Sequence, residues 1–229
     1  MVTKVLSVGG SIIAPQEPDV HFLAQFVAMV RQWLSESDER RLILVAGGGA
    51  PARTYQNAYR SIAGGAFDSA AADWIGVMAT RLNAELLRAA VGDLCLDPVV
   101  TNPTEAREFT ARVLVAAGWK PGFSSDNDAV LLAEKFGADT VVNLSNIEKV
   151  CTDDPRTNPA ARPLDTVSWT DFRKMVGDEW TPGKNTPFDP VASKKAESLG
   201  LKVICAGGRN IRNIRAILDG REFVGTSIG

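Results

Sequence analysis

Histidine and cysteine are scarce in this chain, and their scarcity disfavours several kinds of catalysis. The 229 residues include one histidine, His21, and three cysteines, Cys95, Cys151 and Cys205. The cysteines are far apart and odd in number, so they indicate neither a metal site nor a disulfide framework, and a reducing cytoplasm is the expected location. His21 falls at the start of an amphipathic helical pattern, which disfavours hydrolysis by a Ser-His-Asp or Cys-His arrangement. The sequence predicts no metal-ligating residues.

Long apolar runs and an excess of positive charge are also missing. No apolar stretch approaches the length of a membrane span, and the first residues reach Gly9-Gly10 too soon to form a signal peptide. The formal net charge is -2, without the basic face typical of proteins that bind nucleic-acid polymers. The P-loop, the Rossmann fingerprint and the HRD and DFG signatures of protein kinases are absent as well. We therefore expect a protein of small-molecule substrates, with neither a nucleic-acid polymer nor a membrane as a partner.

The chain does contain a regular alternation of short β-branched runs and longer helical patterns. This alternation predicts an α/β fold, a three-layer α/β/α sandwich around a mainly parallel sheet. Strands are predicted at 4–8, 41–46, 113–116, 140–144, 203–206 and 222–228, and helices after an N-cap at Asp19 and at 68–91, 126–136, 170–176, 189–200 and 211–218. The apolar face of the 68–91 helix is predicted to consist of Ile75, Met78, Leu82 and Leu86. Because no linker interrupts the pattern, we expect a single domain, residues 1–229, whose two lobes cover about 1–138 and about 139–229.

Two glycine clusters follow directly on predicted strands, at Gly9-Gly10-Ser11 and at Gly47-Gly48-Gly49. A glycine turn between a strand and a helix exposes backbone N–H groups at the positive helix terminus, where an anion binds well. Ligands in open α/β sheets also bind at the carboxyl ends of the strands. The simpler interpretation is that the glycines only allow tight turns, but the two clusters together favour phosphate binding. Arg53 falls in the first turn of the next helix, where its guanidinium can fold over the same anion; its alternative is a solvated surface arginine.

Five further segments resemble, in order, those of uridine monophosphate kinases in the amino-acid-kinase superfamily. They are ADWIGVMATRLN from Ala72 to Asn83, Ser124-Ser125-Asp126 with Ala129, Ser145-Asn146-Ile147 with Thr152-Asp153-Asp154-Pro155, Phe188-Asp189-Pro190, and Gly225-Thr-Ser-Ile. The first glycine cluster and the Asp-Pro-Val-Ala-Ser-Lys helix are similar to the archaeal-type branch. The resemblance covers nearly the whole chain, and the combination is more specific than any one segment. It implies the amino-acid-kinase fold and an ATP-dependent phosphorylation of UMP to UDP.

The resemblance also implies a cofactor set, partners and a setting. ATP and Mg²⁺ are expected, with UMP bound by the first half of the chain and ATP by the second half. The implied setting is pyrimidine nucleotide synthesis in the cytoplasm. The implied assembly is a homo-oligomer, either a hexamer or a dimer.

The candidate site residues fall into three groups. Those at the phosphoryl-transfer centre are Gly9, Gly10, Asp126 and Asp189. Those expected to bind UMP are Gly47, Gly48, Gly49, Arg53, Asp73, Gly76, Thr80, Ser124 and Ser125. Those expected to bind ATP are Gly9, Ser11, Ser145, Asn146, Cys151, Asp154 and Pro155. Alternatives stay open for the four acids, namely an ion pair with Arg81 or another basic group for Asp73, a helix N-cap for Asp126 and for Asp189, and a plain turn at Asp154-Pro155.

The chain departs from the family pattern in three places. Ser7 stands where most members have a first-strand lysine that bridges the phosphates, and a neutral hydroxyl cannot offset the charge of a transferring phosphoryl group. Lys4 should point to the opposite face of the strand. Three other lysines are candidates to supply the missing cation: Lys120, Lys184 and Lys194. Cys151 replaces an adenine-stacking aromatic residue, and Glu148-Lys149 replaces Asp-Gly.

Two rival functions stay open at this point. The first is a kinase of the same fold that phosphorylates another small acceptor, such as a different phosphate, a carboxylate or a carbamate. The second is a catalytically silent protein that binds a nucleotide or an oxyanion, which Ser7 in place of lysine favours. Such a protein would keep the anion sites and show no turnover.

Overall fold

The structure, a computed structural model, describes residues 2–179 and 186–229. Within these ranges seven strands form one sheet. They are β1 (Val2–Val8), β2 (Arg40–Ala46), β3 (Val113–Ala116), β4 (Thr140–Ser145), β5 (Thr166–Val167), β6 (Lys202–Gly207) and β7 (Thr226–Ile228). Their order across the sheet is β3-β2-β1-β4-β6-β7-β5, and among these neighbours β6 and β7 are the one antiparallel pair. The predicted, mainly parallel sheet is confirmed.

Helices connect the strands on both sides of the sheet. In the described residues they are α1 (Gly10–Ile13), α2 (Val20–Ser35), α3 (Gly49–Ala63), α4 (Ser69–Val91), α5 (Ser125–Lys135), α6 (Trp169–Val176), α7 (Pro190–Ser198) and α8 (Ile211–Leu218). Short 3₁₀ turns follow α3 at Gly64–Ala66 and α4 at Gly92–Leu94. The predicted N-cap of α2 is confirmed, because the Asp19 side chain accepts a hydrogen bond from the Phe22 amide at 3.0 Å. Across the described part of the chain, every helix is too short or too polar to traverse a bilayer.

Two hydrophobic clusters lie on the two faces of the sheet. Along β1, Leu6 and Val8 belong to one cluster and Val5 to the other, because successive side chains of a strand point to opposite faces. The first cluster continues into α2, α4 and α8, and the second into α5, α6 and α7. Strands buried on both faces read as continuous apolar runs, which is what the sequence shows. The fold is the three-layer α/β/α sandwich that the alternating pattern predicts.

The end of the sheet differs from the prediction. The last strand was expected at 222–228, but β7 spans only Thr226–Ile228, and the two-residue strand β5 was not expected. Residues before β7 have another hydrogen-bond partner, since the Asn213 side chain of α8 accepts from the Val224 amide and donates to the Val224 carbonyl at 2.8 and 2.7 Å. The backbone there is satisfied by a helix side chain and not by a neighbouring strand.

The exposed face of α4 is a second correction. Met78, Leu82 and Leu86, expected on its apolar face, are 56%, 68% and 37% exposed, and Ile75 is half-buried. The buried apolar residues of α4 are instead Ala72, Val77, Ala84, Leu87 and Val91, of which the last three join the cluster on one face of the sheet. Two apolar stripes compete on this helix. The buried stripe is the one on the side where α4 packs against α3, β2, β3 and α2.

Candidate active site

The two glycine turns pack against each other at the carboxyl ends of β1 and β2. A Cβ atom on Gly10 would lie 1.8 Å from the Gly49 nitrogen, and one on Gly47 would lie 2.3 Å from the Gly10 nitrogen. Gly49 also has a φ of +68°, a conformation that side chains with a Cβ rarely adopt. Glycine is therefore required here for backbone-to-backbone contact. This structural role is compatible with phosphate binding, because it also brings α1 and α3 to the same edge of the sheet.

Asn83 braces the second turn and was not predicted as a site residue. Its side-chain amide donates to the carbonyls of Gly47 and Gly48 at 2.7 and 3.1 Å from the buried face of α4. Asn83 is only 3% exposed. A polar residue at a buried helix position is the signal that could have revealed it, since buried amides are almost always hydrogen-bonded.

A cavity of about 290 Å³ opens beside the turns. Eight of the nine residues expected to bind UMP line it: Gly48, Gly49, Arg53, Asp73, Gly76, Thr80, Ser124 and Ser125. Gly47 lies behind this wall, where its amide donates to the Val8 carbonyl at 2.9 Å. Gln56, Lys120 and Phe123 complete the lining with further residues of α3, α4 and the loop before α5. The structure thus brings together residues that the sequence separates by more than seventy positions.

The charged and polar side chains on the cavity wall differ in whether they already have hydrogen-bond or ion-pair partners. Arg53 is exposed at the cavity and has no hydrogen-bond or ion-pair partner among the described residues. The Asp73 carboxylate accepts from the Gly122 amide at 3.2 Å, and in the described chain it forms no ion pair with Arg81. Thr80 donates to the Val77 carbonyl at 2.6 Å and accepts from the Gly118 amide at 2.8 Å, so it braces the wall.

Two of the four residues predicted at the phosphoryl-transfer centre, Asp126 and Asp189, are in contact. The Ser7 hydroxyl donates to one Asp126 oxygen at 3.0 Å, and the Asp189 amide donates to the other at 3.3 Å. Asp126 as a whole is partly exposed, but its carboxyl group is desolvated. This desolvation, together with the nearby charge of Asp189, raises the pKa of Asp126 to about 7, although the hydrogen bond from Ser7 lowers it. Ser124, not Asp126, is the N-cap of α5, because its hydroxyl accepts from the Asn127 amide at 3.2 Å.

Asp189 is buried at the start of α7. Its carboxylate accepts from the Ala192 amide at 2.8 Å, so the N-cap interpretation is confirmed for this residue. The same residue supplies the amide that contacts Asp126, which couples the start of α7 to the centre. Capping and a site role therefore coexist at this position.

Asp128 is a buried acid that the sequence interpretation missed. Its side chain is fully buried, and one oxygen accepts from the Trp119 amide at 3.1 Å. Its other oxygen is buried and has no hydrogen-bond partner among residues 2–179 and 186–229. Desolvation raises the pKa of Asp128 to about 7, and the negative charge of Asp126 adds to this increase. The sequence signal that could have identified Asp128 is an acidic residue directly followed by the apolar residues of the buried helix face.

The expected ATP residues divide into two groups. Gly9, just before α1, lies beside the end of β4: its amide donates to the Leu144 carbonyl at 2.8 Å, and a Cβ on it would lie 3.6 Å from the Ser145 Cα. Ser11 follows in α1, and Asn146 follows β4. The Ser145 hydroxyl accepts from the Ile147 amide at 3.1 Å. These residues share the carboxyl edge of the sheet with the glycine turns, which is where ligands of open α/β sheets bind.

Cys151, Asp154 and Pro155 form the second group, in the irregular segment after β4. Cys151 is half-buried and pairs with Pro163 in an isolated bridge. Asp154 accepts a two-pronged ion pair from Arg156, with one contact at 2.8 Å, and this pair holds the Asp154 pKa down to about 2. Within the described residues, no hydrogen bond joins this second group to the first.

The candidate cations are in different places. Lys120 lines the cavity, whereas Lys194 is exposed on α7 and is not part of the lining. Lys184 lies outside the described residues. Lys4 pairs with Asp139 at 3.5 Å, away from Ser7, as strand alternation predicts. Over the ranges that the structure describes, no three His, Cys, Asp or Glu side chains are grouped so that they could hold a metal ion alone.

The whole chain is similar to proteins of known family and structure. Residues 2–207 match the model of the Amino acid kinase family. A uridylate kinase of Methanospirillum hungatei is 36% identical over 231 residues, covering 100% of this chain and 95% of the relative. A uridylate kinase of Pyrococcus abyssi is 32% identical over 222 residues, covering 95% and 96%. The crystal structure of uridylate kinase from Archaeoglobus fulgidus matches with a TM-score of 0.84 at 30% identity and covers 100% of both chains.

Proposed function

The chain belongs to the amino acid kinase family, and we propose that it is the ATP-dependent kinase that phosphorylates UMP to UDP. The observation that carries this proposal is the cavity beside the glycine turns, which gathers eight of the nine expected UMP residues. Full-length similarity to uridylate kinases supports the same reaction. The product would enter pyrimidine nucleotide synthesis.

The acceptor side of the site is the cavity itself. Its volume of about 290 Å³ is close to the lower end of small-ligand pockets. The amides at the start of α3, around Gly48 and Gly49, and the unpaired Arg53 guanidinium would hold the phosphate of UMP. The Asp73 carboxylate, which still has acceptor capacity beyond its bond to Gly122, would accept from the ribose hydroxyls.

The donor side is the carboxyl edge of β1 and β4. Gly9, Ser11, Ser145 and Asn146 would bind ATP there, with the Cys151-to-Pro155 segment further out. In this arrangement the phosphates of ATP meet the acceptor at the glycine turns. Phosphoryl transfer then depends mainly on positioning two anions and stabilising charge on the moving group.

Mg²⁺ is expected to enter bound to ATP, and the acidic residues at the centre are suited to hold it. Magnesium is usually held by one or two carboxylates together with substrate phosphates, and Asp126 and Asp189 are the two acids that the sequence predicts at the centre. Asp126 is the residue that would hold it, because the Asp189 carboxylate already caps α7. The ion would offset phosphate charge, and its presence would favour ionised Asp126 despite the raised pKa.

We further propose a cytoplasmic homo-oligomer, a hexamer or a dimer, whose two lobes bind UMP and ATP separately. An exposed apolar stripe on α4 supports self-association. It consists of Trp74, Met78, Leu82 and Leu86, spaced four residues apart and 37% to 68% exposed. Exposed apolar patches of this kind mark contact surfaces, because burying them removes apolar area from water.

The test is a coupled ADP-release assay with ATP, Mg²⁺ and a panel of acceptors: UMP, CMP, AMP, GMP, carbamate and isopentenyl phosphate. Turnover with UMP and background rates with the others are expected. Preference for another acceptor would support the first rival function. No turnover with any acceptor, with UMP or ATP binding retained in calorimetry, would instead identify a silent binding protein, the alternative that Ser7 favours. Lys174→Met, a surface change on α6, is the control for general effects of substitution.

A further inference from the structure

The centre of the site is rich in carboxyl groups and poor in cations. Asp126, Asp128 and Asp189 lie close together, and in the described chain none of them forms an ion pair with lysine or arginine. Ser7, only 1% exposed, adds a neutral hydroxyl that is already bonded to Asp126. A reaction between two phosphate groups needs positive charge from the protein as well as from Mg²⁺. That charge must come from another element.

Lys120 is the lysine on the cavity wall, and no carboxylate pairs with it within the described ranges. Its ammonium lies over the Trp119 ring at 3.9 Å from the centroid, and 5.0 Å from the centroid of Phe123. The two rings themselves are 4.9 Å apart. A cation–π contact at an exposed site is weaker than a charge-assisted hydrogen bond to phosphate, so an arriving phosphate can draw the ammonium away.

The loop that carries Lys120 is fixed by bonds to its backbone on both sides of the residue. Trp119 is held twice, because its amide donates to Asp128 at 3.1 Å and its carbonyl accepts from the Arg81 guanidinium at 3.1 Å. The Gly118 amide donates to Thr80 at 2.8 Å and the Gly122 amide to Asp73 at 3.2 Å. A cation on such a preorganised loop loses little freedom when it binds its ligand.

Arg81 and Asp128, the two side chains that hydrogen-bond to the Trp119 backbone, share an unusual property. Arg81 Nε and Asp128 Oδ1 are the buried side-chain nitrogen and oxygen atoms that lack a hydrogen-bond partner within residues 2–179 and 186–229. Buried polar atoms are nearly always paired, and leaving one unpaired destabilises the fold. Both exceptions occur on residues whose remaining bond holds Trp119. We interpret the two unpaired atoms as a loss of folding stability that accompanies the fixed position of the loop around Trp119.

From these contacts we propose that Lys120 is a catalytic residue that takes over the charge of the absent first-strand lysine. Its ammonium leaves the Trp119 and Phe123 rings when UMP enters and binds the acceptor phosphate, which lies between Arg53 and the glycine turns. Asp128 and Arg81 are positioning residues that hold the loop. The proposal rests on the proposed function, since it assigns a role in that same reaction.

The test compares Lys120→Met with Lys120→Arg. Methionine keeps an unbranched stem on the rings without the charge, and arginine keeps the charge. For Lys120→Met we expect about tenfold weaker binding of UMP and a kcat about 10²-fold lower, the size of effect seen when one charge-stabilising group is removed. Lys120→Arg should recover much of both. Affinity for uridine, which lacks the phosphate, should not change, and Lys174→Met should behave like the parent chain.

A second readout does not depend on turnover. UMP should change the tryptophan fluorescence of the parent chain, and this change should be lost in Lys120→Met and in Trp119→Phe. If the parent phosphorylates UMP and Lys120→Met keeps kcat and UMP affinity within threefold, the proposal is wrong and the function stands. If the parent shows no turnover, calorimetry decides: weaker UMP binding with unchanged uridine binding supports the Lys120 contact, and equal UMP binding overturns it.

Discussion

The Asp128 carboxylate accepts a hydrogen bond from the Trp119 amide at 3.1 Å, while its second oxygen is buried and unbonded among the described residues. One acid thus fixes the loop on the cavity wall and bears an uncompensated desolvation cost. In the folded chain its pKa is raised from 3.8 to about 7.

Asp128→Asn should stabilise the fold at pH 8. Because the pKa is higher in the folded state, the folded chain retains the proton more strongly, and the free energy of unfolding falls as pH rises from about 4 to about 7. Asparagine keeps an acceptor for Trp119 and never ionises. At pH 8 we expect a gain on the order of 2 kcal/mol, or about 4–8 °C in melting temperature, and almost no gain at pH 4.

Thermal unfolding at pH 4 and pH 8 checks this prediction. Asp93→Asn is the matched control, because its ion pair with Arg31 lowers the pKa of Asp93 and the effect on stability should have the opposite sign. A melting temperature for Asp128→Asn at or below that of the parent chain at pH 8 would contradict the prediction.

Ser7→Ala should shift the pH dependence of the reaction. The Ser7 hydroxyl donates to Asp126 and lowers its pKa, so removing it should raise that pKa above about 7. If turnover needs ionised Asp126, the acid limb of kcat/KM against pH moves to higher pH. Activity should then be several-fold lower near pH 7 and close to the parent value near pH 9.

The measurement is a pH–rate profile of the free enzyme with UMP as the varied substrate. Ser61→Ala, an exposed serine on α3, is the control and should leave the profile unchanged. An acid limb at the same pH in Ser7→Ala and the parent would show that Asp126 does not govern it.

Arg53→Ala should weaken acceptor binding. The guanidinium lines the cavity at the start of α3 and is unpaired in the described chain, so it is available to a phosphate. We expect KM for UMP to rise about tenfold, equivalent to about 1.4 kcal/mol, with a smaller change in kcat. Arg60→Ala on the same helix, where the guanidinium covers the Phe67 ring, should not alter KM. An unchanged KM in Arg53→Ala would show that Arg53 is a solvated surface arginine and does not bind the phosphate of UMP.

Leu82→Glu should disrupt self-association. Leu82 is 68% exposed in the middle of the α4 stripe, and a buried charge there would be costly to desolvate. Light scattering should give the parent chain a mass that is a multiple of 24.5 kDa and the variant a smaller one. Val20→Glu, at an isolated exposed position on α2, should leave the mass unchanged. A parent chain that is monomeric would refute the proposed oligomer.

Local signals in the sequence determined most of the framework. Continuous apolar runs identified β1 to β4 and β6 because strands buried on both faces need no alternation. Glycine after β1 and β2 could be predicted because a tight strand-to-helix turn is a local requirement. Asp19 was predicted as a cap for the same reason, since a cap bonds within its own turn.

Long-range packing decided what these local signals left open. Which stripe of α4 is buried depends on how α3, β2, β3 and α2 pack against it, so Met78, Leu82 and Leu86 were assigned to the wrong face. The burial of Asp128 and its bond to Trp119 need the contact between α5 and a loop nine residues earlier, and no helical pattern encodes that contact.

The same distinction holds for the cations. By itself the sequence determined that Ser7, an uncharged residue, stands where most members of the family it resembles have a lysine, because the identity of a residue can be read without the fold. The sequence could not show which of the three candidate lysines reaches the phosphates, since that depends on where the loops lie in the folded chain. Tertiary structure places Lys120 on the cavity wall, because four backbone bonds hold the Gly118–Gly122 loop against α4 and α5. Lys194 lies away from the cavity because it is on α7, which does not contribute to the lining.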